Sequence, residues 1–514
     1  MLANGRRSRL ARLLRRAYVD ATVTVCNAGR SASGLHTGLA AAGRFDLIVD
    51  HQRKIPARRA FVSTFLHLEP GGAYLASGPA GSLSALRERL RALEQASHSK
   101  PDKAAGRRTK DDQSLGSAIG SVEAARGLVV VVNRTEALAK LRDPEIDRVL
   151  AKRPNAPDRI IKTIAGETFT SRCQITRSDG LRSPRTPETY DAPPVSLREY
   201  HGALCVPGQV VTQGNLLLPD TYRHNQSKRL NNLYTEDLSR RFAAVPQLDQ
   251  REAEPLAGTY FYLDSEHRGH FGHAITEQVS RLWGWQVAKA AEPDLKALLL
   301  INKDRPLARW EIDLYGAAGV PADDIVFLEH PARVERLVAA TPMFSMPHYV
   351  HPEISHTWDL VGDALAAKAP AWDYPDRIFV SRRLRKRACL NTLEVEALFA
   401  GQGFEVVFPE DYPLPEQVAM FRHAEVIAGF AGSGLFHVCF VEQPKLLIML
   451  SHDSYTASNE YMMAAVRGHE IVAVVSQPDL ERAGALKRPN DFQAPFTFDF
   501  NDEGRFLTKV LADL

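Results

Sequence analysis

An α/β protein built on parallel sheets is the fold class this sequence predicts, and three observations carry it. Short apolar runs alternate with helical patterns through the second half of the chain, as βαβ units require. One such run, Val426-Ile427-Ala428, leads into the glycine turn Gly429-Phe430-Ala431-Gly432-Ser433-Gly434, with another run, Leu446 to Leu450, beyond it. A third, residues 377–381, ends on the basic segment Arg382-Arg383-Leu384-Arg385-Lys386-Arg387. Ligands of such sheets lie beyond the C-terminal strand ends, where both the arginines and the glycine turn fall.

With 514 residues and 44% apolar content the chain can bury several cores, and three domains are expected at about 100 to 200 residues each. The net charge of +3 is too small to argue for nucleic acid as a partner. Cys26, Cys173, Cys205, Cys389 and Cys439 lie far apart with no C-x-x-C pair, so neither a zinc knuckle nor a disulfide framework is indicated. A reducing cytoplasm fits that usage. No apolar run approaches the ~18 to 20 residues of a membrane helix, and the N-terminus has no uninterrupted apolar stretch for secretion.

Residues 1–20 interleave Arg6, Arg7, Arg9, Arg12, Arg15 and Arg16 with Leu10, Leu13 and Leu14. A basic amphipathic segment can lie on an anionic membrane surface. The apolar face is small for that role, and a disordered leader is the preferred expectation. From residue 21 to 150 a smaller α/β unit is expected, with strands at residues 21–25 and 45–50, a helix at 57–68 and a strand at 128–132. Within it, residues 97–126 are rich in Ser, Lys, Asp, Gly and Ala, and such a composition predicts a mobile insertion.

Residues 151–194 read as a linker, with Pro184, Pro187, Pro193 and Pro194 marking its irregular end. Residues 195–370 hold compact strand candidates at 296–301 and 324–328, separated by a helical segment at 308–318. Pro370 and Pro375 interrupt the pattern near residues 368–376 and divide off residues 371–514, with strand candidates at 377–381, 405–408, 426–428, 446–450 and 470–474.

The segment Gly269-His270-Phe271-Gly272-His273-Ala274-Ile275-Thr276-Glu277 completes the set of motifs. At ~100° per residue, Ile275, Val279, Leu282 and Gln286 fall about 200° from His273, while Glu277 and Arg281 fall about 40° and 80° from it. That predicts a helix with a core face and a polar face. A plain surface ion pair between Glu277 and Arg281 would account for the second face, worth ~0.2 to 0.5 kcal/mol.

Taken in order with Phe379-Val380-Ser381-Arg382-Arg383, Asn391, Glu394-Val395, Phe404 to Val407, Glu416-Gln417 and the glycine turn, this segment resembles glycosyltransferase family 61. The likeness covers roughly residues 195 to 480. It implies inverting sugar transfer from a nucleotide sugar, UDP-linked, on a GT-B-like pair of Rossmann-type domains, with a glycan, lipid-linked glycan or surface-polysaccharide acceptor. Residues 195–370 would form the acceptor side and 371–514 the nucleotide-sugar side. Residues 45–50 and 68–74 resemble the later half of a class I methyltransferase, which implies a preceding, truncated methyltransferase-like α/β domain. Too short a stretch precedes Phe45 for the missing βαβ units, so a docking role is expected there, with methyl transfer as an alternative.

The resemblance implies His273 or Glu277 as the base that takes the acceptor hydroxyl proton, a task suited to histidine beside a carboxylate. It implies Arg382 and Arg383 on the donor diphosphate, Arg387 in support, and backbone N–H groups and a hydroxyl from Gly432, Ser433 and Gly434. His437 stands where the family commonly has asparagine, and Ala431 where it has histidine. Those two departures motivate the alternative of a catalytically inactive scaffold in glycan assembly. Asn459, Glu460 and Tyr461 read either as a ribose or base contact or as a helix start. His267, His270 and His273 with Asp264 and Glu266 invite a metal reading, but Gly269 and Gly272 disfavour one helix turn presenting all three imidazoles. No metal and no cofactor besides the donor substrate are expected. The expected location is the cytoplasm, with weak contact to the inner face of the plasma membrane through the basic N-terminus.

Overall fold

A computed structural model describes residues 2–3, 9–17, 19–27, 32–51, 56–98, 107–125, 127–152, 156–178, 186–246, 253–300, 307–383, 386–481 and 491–514. The chain divides into two compact units, each assembled from separated stretches. The first comprises Met1–Ile161, Arg198–Tyr260 and Leu328–Ala339, and the second Lys162–Leu197, Phe261–Phe327 and Ala340–Leu514. Residues 340–514 fall within one unit, and of the stretch 195–370 only Arg198–Tyr260 and Leu328–Ala339 group with the N-terminal part.

The first unit contains a six-stranded sheet in the order Cys26–Asn27, Leu2–Ala3, Phe45–Asp50, Leu68–Ser77, Leu128–Asn133, Ile119–Ala125. Its first four strands run parallel, and the hairpin of the last two is antiparallel. The expected strand at 21–25 lies instead at Cys26–Asn27. Within the segment expected as a disordered leader, Arg9–Ala17 form a helix, while residues 1, 4–8 and 18 lie outside those described. Ala11 of that helix is buried with Val49, and Leu14, Val25 and Leu75 pack against them, so that part of its apolar face is used internally.

The segment read as a mobile insertion contains a helix, Arg107–Ser117, and the strand Ile119–Ala125; residues 99–106 lie outside those described. Its charges pair with distant partners. Asp112 meets Arg89 at 2.5 Å and Asp111 meets Arg229 at 2.5 Å, while Leu115 is buried. Composition alone cannot register such partners. Further short strands at Leu138–Lys140, Val210–Gln213, Leu216–Leu217, Glu236–Ser239 and Phe242–Ala244 close over a core of Leu138, Leu204, Val210, Leu217, Tyr222 and Ala243.

The second unit carries a six-stranded parallel sheet in the order Ile175–Arg177, Glu470–Ser476, Leu446–His452, Val426–Phe430, Arg377–Val380, Glu405–Val407. Its central strands are buried on both faces, apart from half-buried Leu446 at one strand start, which is why they read as continuous apolar runs without alternation. Counted from Arg377, the five consecutive strands stand in spatial order 2-1-3-4-5, the arrangement of doubly wound sheets. Its core joins Phe379, Phe399, Phe430, Ile448, Val472 and Phe496. The order reverses between the Arg377–Val380 and Val426–Phe430 strands, so a crevice must open beyond their C-terminal ends.

Candidate active site

Both strands at the reversal end on residues expected to bind the donor. Arg377–Val380 runs into Ser381, Arg382 and Arg383, and Val426–Phe430 into Ala431, Gly432 and Ser433. A cavity of about 440 Å³ opens there, lined among others by Arg382, Arg383, Arg387, Gly432, Ser433, Gly434 and His437. All seven expected donor-binding residues are therefore brought together. Phe271, Trp310, Phe430 and Leu414 supply apolar wall, and Gln417 and Glu410 polar wall.

The three arginines are not equivalent. Arg382 donates from Nη1 to the Ala431 carbonyl at 3.2 Å and from Nη2 to the Arg387 carbonyl, with its guanidinium 5.2 Å from the Phe430 ring centre. Burial and the neighbouring Arg387 push its pKa down to about 10. Arg387 lies beside the stacked pair Tyr455 and Phe492, at 4.9 and 5.3 Å from their ring centres, which are themselves 5.3 Å apart. Its backbone is held at φ 54, unfavourable for a side chain of this size. Among the described residues the buried Nε atoms of Arg382 and Arg387 have no hydrogen-bond partner. Arg383, by contrast, forks onto Asp411 at 2.6 and 2.7 Å in an exposed pair and stacks 4.1 Å above Phe408.

The glycine turn departs from expectation at one atom. Gly432 adopts φ 141, open only to glycine at low cost, and a methyl group there would lie 3.1 Å from Arg387 Nη2. Its N–H does not face the cavity: it donates to Glu460 Oε1 at 2.7 Å. Gly432 thus offers close approach and not a donor, leaving Ser433 and Gly434 for that part. The turn continues into a 3₁₀ helix, Ser433–Phe440.

His437 is buried, stacked on Phe271 with ring centres 4.6 Å apart and tilted against Phe421 at 4.7 Å. Its Nδ1 faces the Gly434 carbonyl at 3.1 Å. Burial pushes its pKa down to about 4, so the ring is neutral near pH 7 and its Nε2 has no partner among the described residues. A neutral ring does not supply charge to a phosphate.

His273 and Glu277 do not line the cavity, but Phe271, two residues before His273, does. The segment is helical from Phe271 to Ala291, although not as one α-helix: Ala274–Gln278 is a π turn and Val279–Arg281 a 3₁₀ turn. His273 and Glu277 share a face as expected, but Glu277 and Arg281 are buried along with Ile275, Val279 and Leu282, so that face is not a solvent-exposed one. His273 Nδ1 lies 2.7 Å from Glu277 Oε1, and Ser265 Oγ donates to Glu277 Oε2 at 3.1 Å. A carboxylate on Nδ1 assigns the proton to that nitrogen and leaves the lone pair of a neutral ring on Nε2. His267 stacks on His273 at 4.6 Å and His270 lies at 4.7 Å. Burial and the adjacent His273 push the His270 pKa down. Among the described residues no three His, Cys, Asp or Glu side chains are grouped as metal ligands would be.

Glu460 and Tyr455 are the functional candidates that sequence reasoning did not resolve. Glu460 lies in the first turn of the Asn459–Arg467 helix and is wholly buried, and Tyr455 O–H donates to it at 3.1 Å. Their link to Gly432 is a contact between distant parts of the chain, which no local pattern announces.

A parallel sheet with an arginine-lined crevice at its strand-order reversal defines the class, a doubly wound α/β protein. Residues 271–448 match the family model described as Glycosyltransferase 61, and the chain carries a glycosyltransferase domain over that span. The matched span runs from the cavity wall at Phe271 through the arginines and glycine turn to the strand beyond.

The chain matches none of the curated proteins. Among solved structures it is similar to the MycE methyltransferase from the mycinamycin biosynthetic pathway in complex with Mg and SAH. One crystal form is 18% identical over 26% of this chain and 33% of that one, with a TM-score of 0.18. A second is 19% identical over 21% and 32%, with a TM-score of 0.17. The chain spans about a third of the length of these structures. Overlaps of that extent define no shared fold.

Proposed function

We propose that the second unit transfers a sugar, with inversion, from a nucleoside-diphosphate sugar to a hydroxyl of a glycan acceptor such as a surface polysaccharide. The observation that carries this reading is the crevice at the sheet reversal, where Arg382 and Arg387 face the glycine turn within the family 61 span. Two guanidiniums packed on aromatic faces suit a diphosphate, whose charge they would neutralise as it leaves. Apolar walls at Phe271, Trp310 and Leu414 suit a base or sugar face.

In this mechanism the acceptor oxygen attacks the anomeric carbon while the bond from that carbon to the diphosphate oxygen breaks on the opposite side. His273 Nε2 receives the hydroxyl proton, and Glu277, bonded to Nδ1, stabilises the imidazolium that forms. Direct proton acceptance by Glu277 is the second assignment. The charge on the leaving nucleotide is taken up by Arg382 and Arg387, so the proposed reaction proceeds without a metal.

The test is turnover of UDP- and GDP-sugars with surface-glycan oligosaccharides, with and without EDTA, reading the anomeric configuration of the product. Chelator-insensitive transfer giving the opposite anomer supports the proposal. Retention of configuration overturns the single-displacement mechanism, and no transfer from any donor leaves the inactive scaffold.

A further inference from the structure

Arg387 has three close neighbours, Gly432, Tyr455 and Phe492, and one buried carboxylate is bonded to the first two. A methyl group built on Gly432 would lie 3.1 Å from Arg387 Nη2, so the guanidinium end rests directly against the glycine. The Tyr455 ring centre lies 4.9 Å from the guanidinium carbon. Gly432 N–H donates to Glu460 Oε1 at 2.7 Å, and Tyr455 O–H reaches both Glu460 oxygens, at 3.1 and 3.4 Å. We propose that Glu460 is a positioning residue for the donor diphosphate, fixing the spacing of Gly432 and Tyr455 and thereby the place of the Arg387 guanidinium. This rests on the reading of the crevice as a diphosphate site.

The chemistry of the position supports the assignment. Glu460 lies in the first turn of the Asn459–Arg467 helix and is fully buried, where a carboxylate is costly unless bonded and matched by positive charge. Burial raises its pKa; its own N–H, the Gly432 N–H, the Tyr455 hydroxyl and the charge of Arg387 act in the opposite direction. A helix start alone asks for a side-chain acceptor at its cap, but Glu460 bonds outward to the turn after another strand. The carboxylate touches neither cavity nor reacting atoms, so it acts through Arg387. Loosening it should displace the arginine and weaken diphosphate binding, leaving the chemical step nearly intact.

The experiment compares the full-length protein with Tyr455→Phe, Glu460→Ala, Glu460→Gln and Arg387→Ala, measuring inorganic pyrophosphate binding by calorimetry and thermal unfolding. Tyr455→Phe and Glu460→Ala should weaken pyrophosphate about tenfold, while Glu460→Gln, which keeps an acceptor for Gly432 N–H, should recover most of that loss. In turnover assays the donor KM should rise by a like factor with kcat nearly unchanged. If Arg387→Ala loses pyrophosphate but Tyr455→Phe and Glu460→Ala bind as the parent does, the positioning role is overturned and the diphosphate site stands. If the parent protein itself does not bind pyrophosphate, both fall. Should Glu460→Ala fail to fold, the Tyr455→Phe comparison decides.

Discussion

Gly272 faces Ser433 so closely that a methyl group on its Cα would lie 2.9 Å from Ser433 Cβ and 3.1 Å from Phe436. That approach seats the start of the His273 helix against the glycine turn, and sets the candidate base segment beside the crevice that the arginines line. Gly272→Ala is therefore expected to lower stability by about 1 to 3 kcal/mol through overpacking, since Ser433 Cβ is fixed to backbone and cannot swing aside. Chemical denaturation checks it. A midpoint equal to that of the parent would show that the two segments separate at no cost.

The His273–Glu277 pair predicts a loss in kcat larger than in KM. His273→Ala should reduce kcat by roughly 10² to 10⁴, the usual worth of a positioned general base. Glu277→Gln should reduce it less, because an amide oxygen still accepts from Nδ1 while the charge that stabilises the imidazolium is gone. Steady-state kinetics with saturating donor decide the matter. Undiminished kcat in His273→Ala would remove histidine as the base.

The location of the crevice was legible in the sequence because fully buried parallel strands appear as uninterrupted apolar runs, and ligands bind just beyond their C-terminal ends. Arg382 and Gly432 could be placed by that rule alone. Glu460 could not, since its partner Gly432 lies on another strand's exit and nothing local distinguishes the carboxylate from a helix start. The His273 helix shows a different limit. Periodicity places Glu277 beside His273, and the two are bonded, but which helix faces the rest of the chain covers is not a local property. Residues 107–125 read as unstructured because their charges are satisfied by Arg89 and Arg229, which composition cannot see.

Two buried histidines of the second unit predict acid sensitivity. His437 and His469 have pKa values pushed down to about 4, chiefly by burial. In the unfolded chain they titrate near ~6.5. The unfolded state therefore takes up protons first as pH falls, so stability present above pH ~6.5 is lost progressively toward pH 4 and levels off below it. Each contributes on the order of 3 kcal/mol by pH 4. Thermal unfolding between pH 7 and 4.5 should show the decline, and His437→Asn should flatten its share. A pH-independent melting temperature would contradict the buried, neutral assignment.

The arginines predict a ranking of variants that sequence order does not suggest. Arg383 directly follows Arg382, yet its guanidinium is committed to Asp411 on the protein surface. Arg387, four residues further on, is held by two aromatic rings over Gly432 with its buried Nε unpartnered among the described residues. Arg387→Ala should raise the donor KM by about tenfold or more, the scale of a charge-assisted hydrogen bond. Arg382→Ala should do the same and also destabilise, because its side chain bridges the Ala431 and Arg387 carbonyls. Arg383→Ala should cost far less, because a fully solvated ion pair is screened and contributes little. Donor titrations on the three variants test the order, and a loss confined to Arg383→Ala would move the diphosphate out of the crevice to the surface beside Asp411.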